Sequence, residues 1–114
     1  MTSFSDREQA FEAKYAHDEE FRFLVSARRD KQFAHWAAAE ARLSGADEDA
    51  LVASVVHIRD DSSHDEALLT HVEMMLAAHG AARPRAALVA ALERSAQEAR
   101  RHLMDHPPVQ TEIL

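Results

Sequence analysis

Eight histidines in a chain of 114 residues are the first groups whose type and spacing suggest chemistry, and metal ligation is the chemistry they suggest. The spacing argues against it. His64 and His71 stand seven apart, two turns along one helix face, too distant to share an ion. No His-Glu-x-x-His pattern occurs. His102 and His106 are four apart, but His106 precedes Pro107-Pro108 at a helix end, where the helix dipole favours histidine. The acidic run "DDSSHDE" (60–66) lacks the turn glycine and ligand spacing of a calcium loop. With no cysteine in the chain, thiolate metal sites and disulfides are excluded. The serines sit at caps or in polar connections, without a glycine-rich elbow around them. Two glycines, Gly45 and Gly80, cannot make a phosphate-cradling loop. These residues lead to the expectation of no catalytic residue, no metal and no cofactor. Binding is the function left to this chain.

The stretch built for binding is "SFSDREQAFEAKYAHDEE", residues 3–20. Ser5 and Glu8 form a capping box, and Phe4 can staple onto the first turn. At 100° per residue, Phe4, Phe11 and Tyr15 fall within about 40° of one another. Along the same face the next positions are Asp18, Arg22 and Arg29. The apolar face resumes at Phe33, Trp36 and Ala37, while Phe21, Leu24 and Val25 lie to one side. A core helix would not interrupt its buried face with three charges. The chain therefore reads as two units in tandem: an amphipathic segment over 1–18, then a unit that packs on the remaining helices. An isolated helix of that length is marginal in water. Two readings stay open at this point: the segment orders in a partner's groove, or its three rings fold back on the bundle.

The elements that must support this segment are helical. Helical character runs from Ser5 to about Leu43, as one long helix or a broken one, until Ser44-Gly45 ends it, with Gly45 expected in the left-handed conformation. A second helix is predicted over about 47–57, with Leu51, Val52, Val55, Val56 and Ile58 as its apolar side. Ser63 and Glu66 form a second capping box opening a helix to about His79, and Gly80 closes it. Pro84 belongs in the first turn of the fourth helix, where a missing N–H costs nothing. Leu88, Val89, Leu92, Ala96, Ala99 and Leu103 make that helix's stripe. The organisation expected is an all-α four-helix bundle over 19–106, preceded by the segment 1–18 and followed by a tail, 107–114.

Composition agrees. Hydrophobic residues make up 46% of the chain, yet 23 of them are alanine, which favours closely packed helices over a core of large side chains. A net charge of −7 argues against nucleic acid, because duplex binding rests on a basic face, and "ARRDK" (27–31) is too short to supply one. No stretch approaches the roughly 20 apolar residues of a membrane span, and no basic-then-apolar leader opens the chain. A cytoplasmic protein without direct membrane insertion is expected.

"FSDREQAFEAKYAHDEEFRF", then "ARRDK" and "WAAAEARLSGADEDA", resembles the alphaproteobacterial zeta subunit of the F-type ATP synthase. The motif F-x-D-R-E-x-A-F-E-x-K-[FY]-A-x-D is matched from Phe4 to Asp18, and the likeness is strong over about residues 4–53. Where the family usually carries aliphatic residues this chain has Gln32, Phe33, Ala34 and His35, and Asp30 stands where the family often has Asn. The resemblance implies a non-catalytic inhibitor of ATP hydrolysis, monomeric when free. Its N-terminal segment is mobile alone and helical when bound at an interface of the alpha and beta subunits near the central stalk. The implied partners are the alpha, beta and gamma subunits, which place the protein at the inner membrane through the synthase. The implied binding residues are Phe4, Asp6, Arg7, Glu8, Phe11, Glu12, Lys14 and Tyr15. The alternatives are a helical adaptor of the same fold with weak or no inhibition, and a small-ligand or nucleotide-binding bundle.

Overall fold

Residues 19–106 are described by the structure, a computed structural model, and within them every regular element is helical. In chain order these are α1 (Glu19–Glu40), α2 (Ala46–Val56), α3 (His64–Ala78) and α4 (Arg85–Asp105). The fold class read from the sequence holds: all-α, with four helices among the described residues. The two long helices, α1 and α4, pack most extensively on each other; α2 lies on α1, and α3 touches both α1 and α4. They run antiparallel, since Glu40 at the end of α1 meets Arg83 just before α4 at 3.6 Å. At the other end Arg28 lies close enough to act on His102.

The core follows from the alanines. Phe33, Ala34, Ala37 and Ala38 of α1 are fully buried. They meet Leu51 and Val55 of α2, Leu68, Val72 and Leu76 of α3, and Leu88, Ala91 and Leu92 of α4. Small side chains on α1 let the other helices approach closely, and Phe33 fills the space they leave. Its ring stacks on Trp36 with centroids 5.7 Å apart. Two positions where the chain departs from the zeta pattern, Phe33 and Ala34, thus sit at the centre of the bundle. Phe21, Ser95 and Ala99 are buried outside this cluster, toward the start of α1 and the end of α4.

The connections correct several expectations. Arg42, not Gly45, takes the left-handed conformation that ends α1, at φ 58°. The Leu43 N–H donates to Ala38 O at 2.8 Å and the Arg42 N–H to Ala39 O at 3.1 Å, the paired bonds of a Schellman motif. Gly45 also has positive φ, but as the N-cap of α2, at φ 59° and ψ −131°. Gly80 closes α3 as expected, at φ 68°, with the Ala81 N–H on Leu76 O at 2.8 Å and the Gly80 N–H on Ala77 O at 3.1 Å.

Ser63 is the N-cap of α3, but its side chain does not cap. Its backbone N–H and its hydroxyl both donate to Asp61 Oδ1, at 2.9 and 2.7 Å. A charged acceptor two residues back holds the hydroxyl that the capping box required. Those two bonds hold the exposed Asp61 carboxylate below the usual range. Glu66, the other half of the expected box, pairs instead with Arg85. Pro84 stands at the N-cap of α4 in extended conformation, one position before the first turn. Val56 and Val89, both assigned to apolar stripes, are exposed at 58% and 37%.

Candidate partner-binding site and the end of the bundle that carries it

The eight residues expected to bind a partner, Phe4, Asp6, Arg7, Glu8, Phe11, Glu12, Lys14 and Tyr15, precede residue 19 and lie outside the described residues. The capping box of Ser5 and Glu8 lies there too. The structure describes the platform from which this segment departs. Glu19 and Glu20 are exposed, in the first turn of α1, where acidic side chains complement the helix dipole. Phe21 follows at 7% exposure and fastens the turn to the bundle, while Phe23 points outward at 60%.

Beside Phe23 runs a groove of about 410 Å³ between the first half of α1 and the end of α2. Its apolar wall comes from Phe23, Leu24 and Ala27 on one side and Val55, Val56 and Ile58 on the other. Asp30, Lys31, Asp60 and His64 supply its polar edge. A shallower hollow lined by Glu19, Arg22, Phe23 and Asp60 continues from it to the first turn of α1.

A charged cluster sits at the groove's polar edge. Asp30 is buried, at 8% exposure. Its Oδ1 accepts from Arg29 Nε at 2.9 Å, and its Oδ2 faces His64 Nε2 at 2.6 Å. Arg29 spreads two more donors onto Asp65, with NH1 on Oδ2 at 3.3 Å and NH2 on Oδ1 at 2.7 Å. The other ring nitrogen of His64, Nδ1, meets the Arg59 carbonyl at 2.9 Å. A carbonyl can only accept, and so can a carboxylate. With an acceptor facing each ring nitrogen, this setting favours the imidazolium form of His64 over the neutral ring. Burial alone would lower its pKa, but the hydrogen bonds to Arg59 and Asp30 and the charge of Asp30 outweigh it and raise it. The same balance holds Arg29 above its ordinary value: burial opposes the charge, and Asp65 with Asp30 restores it.

This cluster was not visible as a unit in the sequence. Arg29 read as a charge breaking an apolar face and His64 as part of a polar connection. The neighbours Arg29-Asp30 and His64-Asp65 were the only signal, 34 residues apart in sequence. What the cluster does is structural: it ties the 59–64 connection to α1 and closes the end of the groove.

Nothing in the described residues adds catalytic geometry. Ser54 and His71 lie 2.8 Å apart, but the Ser54 hydroxyl donates to Leu51 O at 2.6 Å, so His71 is a donor to it and not a base. No group of three or more His, Asp or Glu is placed to hold a metal ion among the described residues. His102 and His106 stack, with ring centroids 4.6 Å apart. No helix of the described residues is long and apolar enough to cross a membrane.

Compared with known proteins, residues 1–102 match the family model of ATPase inhibitor subunit zeta. That range takes in the segment before α1 together with nearly all of the four helices. No curated protein and no solved structure gives a significant match.

Proposed function

The chain belongs to the ATPase inhibitor subunit zeta family, and we propose that it blocks ATP hydrolysis by the F-type ATP synthase by inserting residues 1–18 as a helix at an alpha/beta catalytic interface near the central stalk. The single observation that carries this reading is the extent of the family match, which includes the whole Phe4-to-Asp18 motif. In this reading the protein is non-catalytic. Its partners are the alpha, beta and gamma subunits, and it works on the cytoplasmic side of the inner membrane.

The residues divide by physical role. Phe4, Phe11 and Tyr15 share one helix face and act as the anchors buried in the subunit cleft, where aromatic side chains dominate binding energy. Each such ring removed from water contributes on the order of 1.5–3 kcal/mol. Arg7, Glu8, Glu12 and Lys14 pair with charges at the rim, where they set register and encounter rate more than affinity. The capping box lowers the cost of ordering the helix. The bundle of 19–106, four helices packed together, is wider than a single helix and halts the segment at a fixed depth. The 1–18 segment is then a pawl, and the bundle its stop.

The test is ATP hydrolysis by synthase particles stripped of this subunit, with the full chain or a chain lacking residues 1–18 added back. Inhibition by the full chain and none by the truncation is the expected outcome. Inhibition by both assigns the activity to the bundle and overturns the anchor roles; inhibition by neither overturns the function.

A further inference from the structure

We propose that the groove between α1 and α2 is a parking site for this chain's own residues 1–18, and that the parked segment must leave it before it can engage a partner. The inference rests on the reading of 1–18 as the binding segment. Four observations carry it. The groove's walls are apolar on both sides, and two of the large hydrophobic residues exposed on this bundle, Phe23 and Val56, flank it. The occupant is tethered at its mouth, because Phe23 lies one turn beyond the point where residues 1–18 join α1. The length suits the two rings nearest the tether: the groove's α1 wall, Phe23 to Lys31, spans about 12 Å, and Phe11 and Tyr15 would stand about 6 Å apart along a helix. That segment carries three rings on one face, and a volume of about 410 Å³ accommodates aromatic side chains.

Tethering favours this occupant over a second copy of the chain. A short linker holds the segment at an effective concentration on the order of millimolar, far above any free partner. For the segment to lie along the groove the chain must reverse between Tyr15 and Glu19, and Asp18 followed by Glu19 and Glu20 is a helix-start pattern independent of Ser5. Parking and insertion use the same rings, so they exclude each other. The apparent affinity for the synthase is then reduced by the fraction of molecules with the segment free.

The chain has no cysteine, so a single nitroxide can be placed at will. A label on Asp60→Cys, at the groove's edge, is expected to broaden the amides of residues 4–15 in the free full-length protein. A label on Glu93→Cys of α4, which contributes nothing to the groove, is expected to leave them sharp. Val56→Asp is expected to abolish the broadening and, because Val56 is 58% exposed, to leave the bundle folded. It should also raise the initial rate of synthase inhibition by about as much as the free fraction increases, up to about tenfold where nine molecules in ten are parked. Equal broadening from both labels, or none from either, overturns the proposal. So does broadening of unlabelled chains by labelled ones, which makes a second copy the occupant. Slower inhibition by Val56→Asp also overturns it, because the groove would then face the synthase. The relaxation measurement needs no synthase: parking seen in a chain that does not inhibit sinks the functional reading alone, and inhibition without parking sinks only this one.

Discussion

The two ends of α1 solve opposite problems. From Phe33 to Ala38 the helix buries only apolar atoms, and α2, α3 and α4 all close on it. From Phe23 to Asp30 it faces an open groove on one side and buries a carboxylate whose burial is tolerable only because Arg29 and His64 surround it. The first end is held mainly by packing, which is non-directional, and its charged pairs, His35 with Glu48 and Glu40 with Arg83, lie at the rim of that packing. The second is held by a few directed, charged bonds, and it is the end next to residues 1–18, the proposed binding segment. On the proposed function, a bundle that stays rigid while residues 1–18 move gains from this division, since the charged end can loosen without opening the core.

The largest effect should come from the packed end. Phe33→Ala removes a fully buried ring and is expected to cost about 3–5 kcal/mol in denaturant unfolding. Phe23→Ala, ten residues earlier and 60% exposed, should cost under about 0.5 kcal/mol. Comparable losses at the two positions would mean that the groove is part of the core and that the division does not exist.

At the charged end, Asp30→Ala should cost about 2–3 kcal/mol. It strands His64 without its acceptor, while Arg29 keeps Asp65, so the loss falls short of that for a fully buried broken pair. Asp30→Asn keeps the shape and leaves His64 free to be neutral, so about 1 kcal/mol is expected. The ring's titration, followed by its carbon-bound protons, should drop toward the ordinary histidine value in that variant. An unmoved titration would mean that Asp30 does not hold the imidazolium.

The charged end also sets a pH dependence with a defined sign. His64 has a raised folded pKa, so its stabilisation is complete below the unfolded value near 6.5 and is lost as pH rises through the folded one. His102, near the end of α4, has a lowered pKa, from desolvation first and then from Arg28 and His106. Its contribution runs the other way, with stability falling as pH drops below about 6.5. Denaturation midpoints should therefore peak near neutral-acid pH, and His64→Gln should flatten the alkaline side only. A flattened acid side in that variant would contradict the assignment.

How far these features were legible in the sequence depends on the range of the physics involved. The helices and the Phe33 face were readable because periodicity and the break at Gly80 are local, whereas the end of α1 was placed at Ser44-Gly45 and falls at Arg42. Asp30 was not: its burial depends on Arg29 at its side and on His64 arriving from another helix, and no spacing rule links positions 30 and 64. The Ser63–Glu66 box failed for one local and one long-range reason: Asp61, two residues back, takes the Ser63 hydroxyl, and Arg85 of the next helix takes the Glu66 carboxylate. Val56 continued a stripe by pattern, but α2 is packed mainly on α1, so only part of its apolar side is covered. The candidate binding residues, Phe4 to Tyr15, came from a sequence motif and not from any packing rule, and they lie outside the described residues.

The smallest prediction concerns two helix ends that share one hydrogen-bond pattern with different residues. α1 closes on Arg42 at φ 58° and α3 on Gly80 at φ 68°, each with the same pair of backbone bonds. A side chain in the left-handed region costs roughly 1 kcal/mol relative to glycine, offset in part by the larger unfolded-state freedom that glycine brings. Arg42→Gly should therefore stabilise the bundle by about 0.5 kcal/mol. Gly80→Ala should destabilise it by about 1 kcal/mol, through the backbone alone, because an added Cβ there meets no atom within 4 Å. Denaturant midpoints of the two variants should move in opposite directions. If Arg42→Gly destabilises instead, the arginine side chain contributes more through its contacts than its backbone loses, and the two ends are equivalent in geometry but not in energy.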